Sequence, residues 1–209
     1  MLIDLRFLCN KYKFIPKGVI HIGAHIGEEH EVYSSLGIDN VVWIEANKDI
    51  FNKLCKRLEC FKTYSFFNYL VSDVDDKKYI FYVTNNGESS SLLEMEDHLI
   101  EHPHIYVDKT LELTSKTIDS IIHTNNINPK SYNFLNLDIQ GAELLALNGA
   151  TMLLKDIDYI YSEVNIKHLY KDCALIEELD LFLKNYNFKK VEQNILSHGW
   201  GDAFYIKKK

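Results

Sequence analysis

Gly18-Val19-Ile20-His21-Ile22-Gly23-Ala24-His25-Ile26-Gly27 is a β-branched run that empties into a glycine turn, and the rest of the chain is arranged around it. Glu28 to Leu36 carries helical spacing as far as Gly37. Val41-Val42-Trp43-Ile44 is then a second apolar run, ending on Glu45, 22 positions after Gly23. Strand, loop, helix, strand is the opening unit of a parallel α/β sheet. In such a unit the glycines let the backbone approach a ligand, and N–H groups at the helix start attract an anionic group. An acid about 20 residues on accepts hydrogen bonds from ribose hydroxyls. The stretch therefore predicts a site for a nucleoside-bearing cofactor.

Two details select among such cofactors. The dinucleotide pattern G-x-G-x-x-G is absent in every register, because His25 and Glu28 stand where its second and third glycines would be. Glu28 and Glu29, read as the first helical turn, complement the helix dipole but would repel a pyrophosphate. S-adenosylmethionine carries an ammonium and a sulfonium beside its one carboxylate and tolerates an acidic rim. His21 to Gly27 resembles motif I of the class I methyltransferases, D/E-x-G-x-G-x-G, with His21 in place of the acid and His25 in place of the middle glycine.

The chain of 209 residues is long enough for one large domain with a proper core, and 46% hydrophobic with 25% charged residues is ordinary for a globular protein. A formal charge of -7 argues against the broad basic footprint of a nucleic-acid binder. Cys9, Cys55, Cys60 and Cys173 form neither a C-x-x-C pair nor a zinc spacing, which points to a reducing, cytoplasmic setting. Residues 1–17 lack a signal-peptide apolar region, and no apolar run reaches the length of a membrane span, so no membrane insertion is expected.

The remaining elements follow in order. Residues 1–14 read as an amphipathic lead-in, Asn47 to Leu58 as a helix capped by Asn47, and Lys62 to Phe67 as a third strand. Lys78 to Val83 and Tyr106 to Leu113 are strands within an insertion at 76–115, joined by the Asn85-Asn86-Gly87 turn and an irregular piece from Ser89 to Leu99. Thr117 to Ile122 is a helix, Tyr132 to Asp138 a buried strand, Ala142 to Leu154 a helix-rich stretch and Asp158 to Glu163 another strand. A helix over 175–186 and strands at 188–191 and 203–206 close the chain. The fold class is α/β, a doubly wound, mostly parallel, seven-stranded sheet in one domain spanning 1–209.

Ligands of open α/β sheets bind beyond the carboxyl ends of the strands. Those ends carry His21 to Gly27, Glu45, Asp138 and Glu163, three acids and two histidines at one edge. Asp138 and His25 lead as general-base candidates, followed by Glu163 and His168. Gln140, Glu143, Asn165, His168 and Trp200 are candidates to border the acceptor, with Tyr161, Tyr170 and His198 beside Trp200 as aromatic lining or core. His98, His102 and His104 read as an exposed loop or a pocket wall rather than a zinc site, because Pro103 interrupts their geometry. Oxygen ligands at Asp138, Glu163 and Asn165 would suit a divalent cation, but no compact ligand motif supports one, and no metal is assigned.

Asn136 to Glu143 resembles the K-x-D-x-E/Q-G-A/Y-E motif of the FkbM family of S-adenosylmethionine-dependent methyltransferases, with Asn136 in place of the lysine. Glu88 to Leu92 is similar to its G-x-S-S-L segment, Thr117-Ile118-Asp119 to its T-L/I-D, and 199–203 to the end of its small members. The resemblance covers nearly the whole chain from Gly18. It implies a Rossmann-like class I fold and a backbone cradle for the methionine part at Gly23, Ala24 and Gly27. It places Glu45 with Ala46 on the ribose, Ser72 and its neighbours along the adenine, and Asp138 toward the sulfonium or the acceptor. His21 and His25 fall at cofactor positions where the family has an acid and an asparagine.

The implied reaction is methyl transfer from S-adenosylmethionine to a hydroxyl of a sugar, a glycan or a related small molecule, with a nucleotide-linked or glycan sugar the expected acceptor, leaving S-adenosylhomocysteine. In-line positioning contributes roughly 7 to 11 kcal/mol to such a reaction, and a base adds about 10² to 10⁴ in rate. The rivals are an NAD-dependent oxidoreductase and a domain that binds a nucleoside or a partner without turnover. Nothing in the sequence reads out the oligomeric state.

Overall fold

The computed structural model describes residues 1–208. Its elements run α1 (Leu5–Tyr12), β1 (Val19–Ile22), α2 (His30–Ser35), β2 (Val41–Ile44), α3 (Lys48–Leu58), β3 (Ser65–Phe67), β4 (Leu70–Val71), β5 (Lys78–Thr84), α4 (His98–Glu101), β6 (Val107–Lys116) and α5 (Ile118–Thr124). Then come β7 (Phe134–Leu137), α6 (Glu143–Asn148), β8 (Tyr159–Asn165), α7 (Ile176–Asn185), β9 (Phe188–Ile195) and β10 (Trp200–Lys207).

Seven strands form one sheet in the order β3-β2-β1-β7-β8-β10-β9. All neighbours are parallel except β10, which runs antiparallel to both β8 and β9. The chain therefore winds one way from β1 to β3 and the other way from β7 onward. The crevice between β1 and β7 is the switch point, where such sheets bind ligands.

Strand alternation explains the two helical layers. Ile20 and Ile22 of β1 face a core with Ile118, Ile121, Leu147 and Leu179, from α5, α6 and α7. Val19, with Trp43 of β2 and Phe134 of β7, packs on the other side against Leu5, Leu8, Tyr33, Leu54 and Leu58, from α1, α2 and α3. The four residues of β1, β2 and β7 are buried on both faces, as a central parallel strand requires.

The expected α/β class and seven-stranded sheet are present, and the insertion does carry strands: β5 and β6 pair antiparallel, and β6 pairs parallel with β4. Several boundaries differ. The helix expected from Glu28 begins at His30, because Gly27 adopts a positive φ of 75° and the chain turns before it coils. The stretch from Ala142 is a short helix that stops at Asn148, followed by a single 3-10 turn at Leu153–Lys155. Leu70–Val71 is a strand that the sequence pattern did not reveal, since two residues are too few to show a period.

Candidate active site

A cavity of about 500 Å³ opens at the carboxyl ends of β1, β2, β7 and β8 and is roofed by the insertion. One half is built from the loop after β1, the end of β2 and β4: Gly23, Glu45 and Ala46 on one side, Tyr69, Leu70 and Val71 on the other. Gly23 has a φ of 79°, and a β-carbon there would collide with the carbonyl oxygen of Asp138, so only glycine lets the loop pass against β7. Gly27 and Ala24 lie behind the loop, Gly27 against Leu54 and Leu58 and Ala24 in the core. They shape the cradle from outside the cavity.

Glu45 fixes this half. Its Oε2 accepts from the His25 backbone N–H at 2.9 Å and its Oε1 from the Asn47 N–H at 2.7 Å. Burial pushes the carboxyl up to about 7, while the N–H groups of Asn47 and His25 pull the other way. His25 itself sits at a φ of 43°, a left-handed conformation that histidine and asparagine tolerate better than most residues. Its Nδ1 is 2.9 Å from Glu28 Oε1, and hydrogen bonding to Glu28 holds the imidazole above its ordinary pKa.

His21 lies at the floor of the cavity but is spoken for. Its Nδ1 is 3.2 Å from the Tyr33 hydroxyl, its Nε2 is 3.2 Å from Asn136 Nδ2, and it stacks on Trp43 at 5.0 Å. Burial pushes it down to about 4, so it is a neutral packing group. Ser72 stands outside the cavity, its hydroxyl donating to Asp73 and Tyr79.

The second half holds the acids. Gln140, with a positive φ of 57°, donates through Nε2 to Asp138 Oδ1 at 2.8 Å and to Glu163 Oε2 at 2.7 Å. Its Oε1 accepts from the Tyr170 hydroxyl at 2.8 Å. Glu163 of β8 stands directly across the ladder from Asp202 of β10. Burial, then the facing charges of Asp138 and Glu143, push Glu163 well above the carboxylate range. Asp202 accepts from the Tyr161 hydroxyl and the Leu2 N–H, and burial raises it as well.

Trp200 and Tyr170 line this half together with His98 and His102. Of the remaining candidates, Glu143 is buried beneath the loop after β7, where it accepts from the Ile139 N–H at 2.9 Å, and burial pushes it up to about 7. Asn165 is buried away from the cavity with both amide atoms unpartnered among the described residues. His168 faces outward, its Nδ1 3.1 Å from the Cys173 carbonyl. Tyr161 is core, and His198 is paired with Glu101 at the rim.

Tyr69 to Val71, expected beside the base as neighbours of Ser72, do line the cavity, whereas sequence reasoning missed Asp202 and the contribution of Leu2. Asp202 had a signal, since it sits inside the 199–203 motif. Leu2 had none, because only the tertiary fold brings it there.

Residues 21–190 match the methyltransferase FkbM domain. The chain belongs to the FkbM methyltransferase family. No curated protein matches it in sequence. Its fold is similar to magnesium protoporphyrin IX methyltransferase from Synechocystis PCC 6803, solved with bound S-adenosylmethionine, at a TM-score of 0.54 and 9% identity over 98% of this chain and 77% of that one. A SAM-dependent methyltransferase from Aquifex aeolicus gives a TM-score of 0.52 at 9% identity, covering 99% and 91%. A putative RNA methyltransferase from Pyrococcus horikoshii gives 0.50 at 13%, covering 99% and 82%. At these identities the likeness is one of fold, and the methyltransferase assignment rests on the family match. That match leaves the oxidoreductase reading without support. Among the described residues, no helix is long and apolar enough to cross a membrane.

Proposed function

We propose that this methyltransferase moves the methyl group of S-adenosylmethionine to a hydroxyl of a neutral sugar or glycan. The observation that carries the reading is the lining of the cavity. Seven carboxyl groups (Glu28, Glu29, Glu45, Glu88, Asp138, Glu163 and Asp202) meet no lysine or arginine among the described residues there. That donor set fits the cofactor: a buried carboxylate for a ribose diol, apolar walls at Ile44, Leu70, Val71 and Ile139 for a base, and acids for an ammonium and a sulfonium. It repels pyrophosphate, which disfavours both NAD and a nucleotide-linked acceptor, and equally a nucleic acid. Free cysteines suit the cytoplasmic setting we assign.

The cofactor supplies a methyl carbon on a good leaving group. The acceptor oxygen forms the new O–C bond as the S–C pair returns to sulfur, and the hydroxyl proton passes to a base. We assign that role to Asp138, which lines the cavity at the end of β7 and is held in place by the Gln140 amide that also binds Glu163. Trp200, half-buried at the cavity wall, offers an apolar face for a sugar ring.

Calorimetric titration with S-adenosylhomocysteine, with NADH in parallel, tests the cofactor. Micromolar binding of the first alone is the expected result, and binding of NADH instead overturns the reading. Methyl transfer from labelled cofactor to neutral, anionic and amino sugars then tests the acceptor class. Transfer confined to anionic acceptors would overturn the charge argument. Cofactor binding with no transfer to any glycan fraction would favour binding without turnover.

A further inference from the structure

The acceptor half of the cavity contains a polar atom that its surroundings leave unexplained. His98 is 5% exposed, it lines the cavity, and its Nδ1 has no hydrogen-bond partner among the described residues. A buried, unpaired imidazole nitrogen costs about 1 to 3 kcal/mol, so such a group calls for a ligand.

Its surroundings supply one. His102, one turn on, has its ring 4.9 Å from that of His98, and His198, from the turn between β9 and β10, has its ring 5.0 Å from that of His102. With metal–nitrogen bonds of about 2.0 to 2.1 Å, two imidazoles on a tetrahedral ion have ring centres roughly 5 Å apart, which is the spacing seen twice here. His104, 6.2 Å from His102, falls outside it. The surrounding shell is also that of a metal site. Glu101 Oε2 lies 3.1 Å from His198 Nδ1 and leaves Nε2 free, while Lys167 holds the other carboxylate oxygen at 2.8 Å. A carboxylate behind a histidine fixes the tautomer and raises the basicity of the remaining nitrogen. As the rings stand, the three nitrogens do not all lie within 4.8 Å of one another, so the rings must turn to share an ion.

We propose that His98, His102 and His198 bind a zinc-class divalent cation at the mouth of the cavity, with its fourth position open to the acceptor. Three imidazoles suit Zn²⁺, Co²⁺ or Ni²⁺ rather than Mg²⁺, which prefers oxygen. Three protein ligands and one open position are the pattern of a catalytic rather than a structural site. The open position accepts a sugar hydroxyl and lowers its pKa before methyl transfer. That role rests on the methyltransferase reading, whereas the metal site does not. The mixed cluster of His25, Glu28 and Glu88, whose ligand atoms lie within 4.8 Å of one another, serves as an internal competitor. It holds one imidazole and two exposed carboxylates, a harder donor set than three imidazoles.

The test uses the full chain without a histidine tag, stripped with a chelator and titrated with Co²⁺ followed by Zn²⁺ competition. One equivalent of Co²⁺ with a tetrahedral visible spectrum is expected. His102→Ala and His198→Ala, both partly exposed and safe for folding, should each weaken binding at least tenfold, as should His98→Asn. His25→Ala should leave it unchanged. No stoichiometric binding, binding indifferent to the three substitutions, or binding lost in His25→Ala overturns the proposal. Titration of the same samples with S-adenosylhomocysteine separates the two claims. Metal binding without cofactor binding would sink the methyltransferase reading and spare the site; the converse would sink the site alone.

Discussion

Glu45 and Glu163 are both buried carboxyl groups at the carboxyl ends of strands in one sheet, and burial raises both. Their partners differ. Glu45 receives two backbone N–H groups and faces no acid of its own strand pair, so it is poised near neutrality. Glu163 stands opposite Asp202 and beside Asp138, with the Gln140 amide as its side-chain donor among the described residues, and is raised further by the neighbouring acids. Backbone donors favour the charged form of a carboxyl group, whereas neighbouring acids favour the neutral one, so the same residue type meets opposite surroundings in the two halves of one cavity.

The sharpest way to break this division is at Asp138, where the acids meet. If Asp138 takes the hydroxyl proton, as proposed, Asp138→Asn should lower turnover about 10²-fold or more. Affinity for S-adenosylhomocysteine should stay within a few-fold by calorimetry. Loss of cofactor binding would instead make Asp138 a cofactor ligand.

Next in size is the removal of Glu45. Hydrogen bonds to a charged group contribute about 1.5 to 3 kcal/mol, so Glu45→Ala should weaken S-adenosylhomocysteine about 10- to 150-fold. Unchanged affinity in a variant with native circular dichroism would end the ribose assignment.

A smaller effect follows from the pKa of Glu45, about 7 in the ligand-free chain. Ribose hydroxyls donate to the ionised form, so binding should strengthen by up to about tenfold between pH 6 and 8 and level off above, and the slope should vanish in Glu45→Gln. Stability without ligand has the opposite sign. The folded carboxyl binds its proton more tightly than the unfolded one, with its ordinary value of 4.5, so this group's contribution to stability falls as pH rises from about 4.5 to 7. Thermal melts across that window check the direction.

The sheet and the approximate place of the site were legible because they rest on local patterns: β-branched runs, a glycine turn, and acids at strand ends. What was not legible depends on pairing across the sheet. His21 and Asn136, read separately as two departures from the family pattern, are register partners in β1 and β7 and touch through Nε2 and Nδ2 at 3.2 Å. An acid and a lysine at these positions would stand side by side as opposite charges, and the chain has exchanged both for neutral groups. The replacement of asparagine at position 25 has a backbone cause, since a φ of 43° admits histidine too. The resemblance put Ser72 and its neighbours along the adenine; the neighbours Tyr69, Leu70 and Val71 line the cavity, while the Ser72 hydroxyl turns to Asp73 and Tyr79 outside it.

The smallest expected effect is the most discriminating for the comparison. A protonated glutamic acid and a glutamine have nearly the same shape, and both offer one donor and one acceptor side. If Glu163 holds its proton at neutral pH, Glu163→Gln should change cofactor affinity and turnover by no more than a few-fold at pH 7, because a neutral Glu163 carries no charge against Asp202 across the ladder. Stability should then rise rather than fall, most visibly above pH 7, where the wild-type pair of acids is hardest to hold together. Glu45→Gln, made at the same time, loses one of its two backbone acceptors and should weaken binding clearly. Equal effects of the two substitutions would show that both carboxylates are ionised and that Glu163, not Asp138, takes the proton of the acceptor.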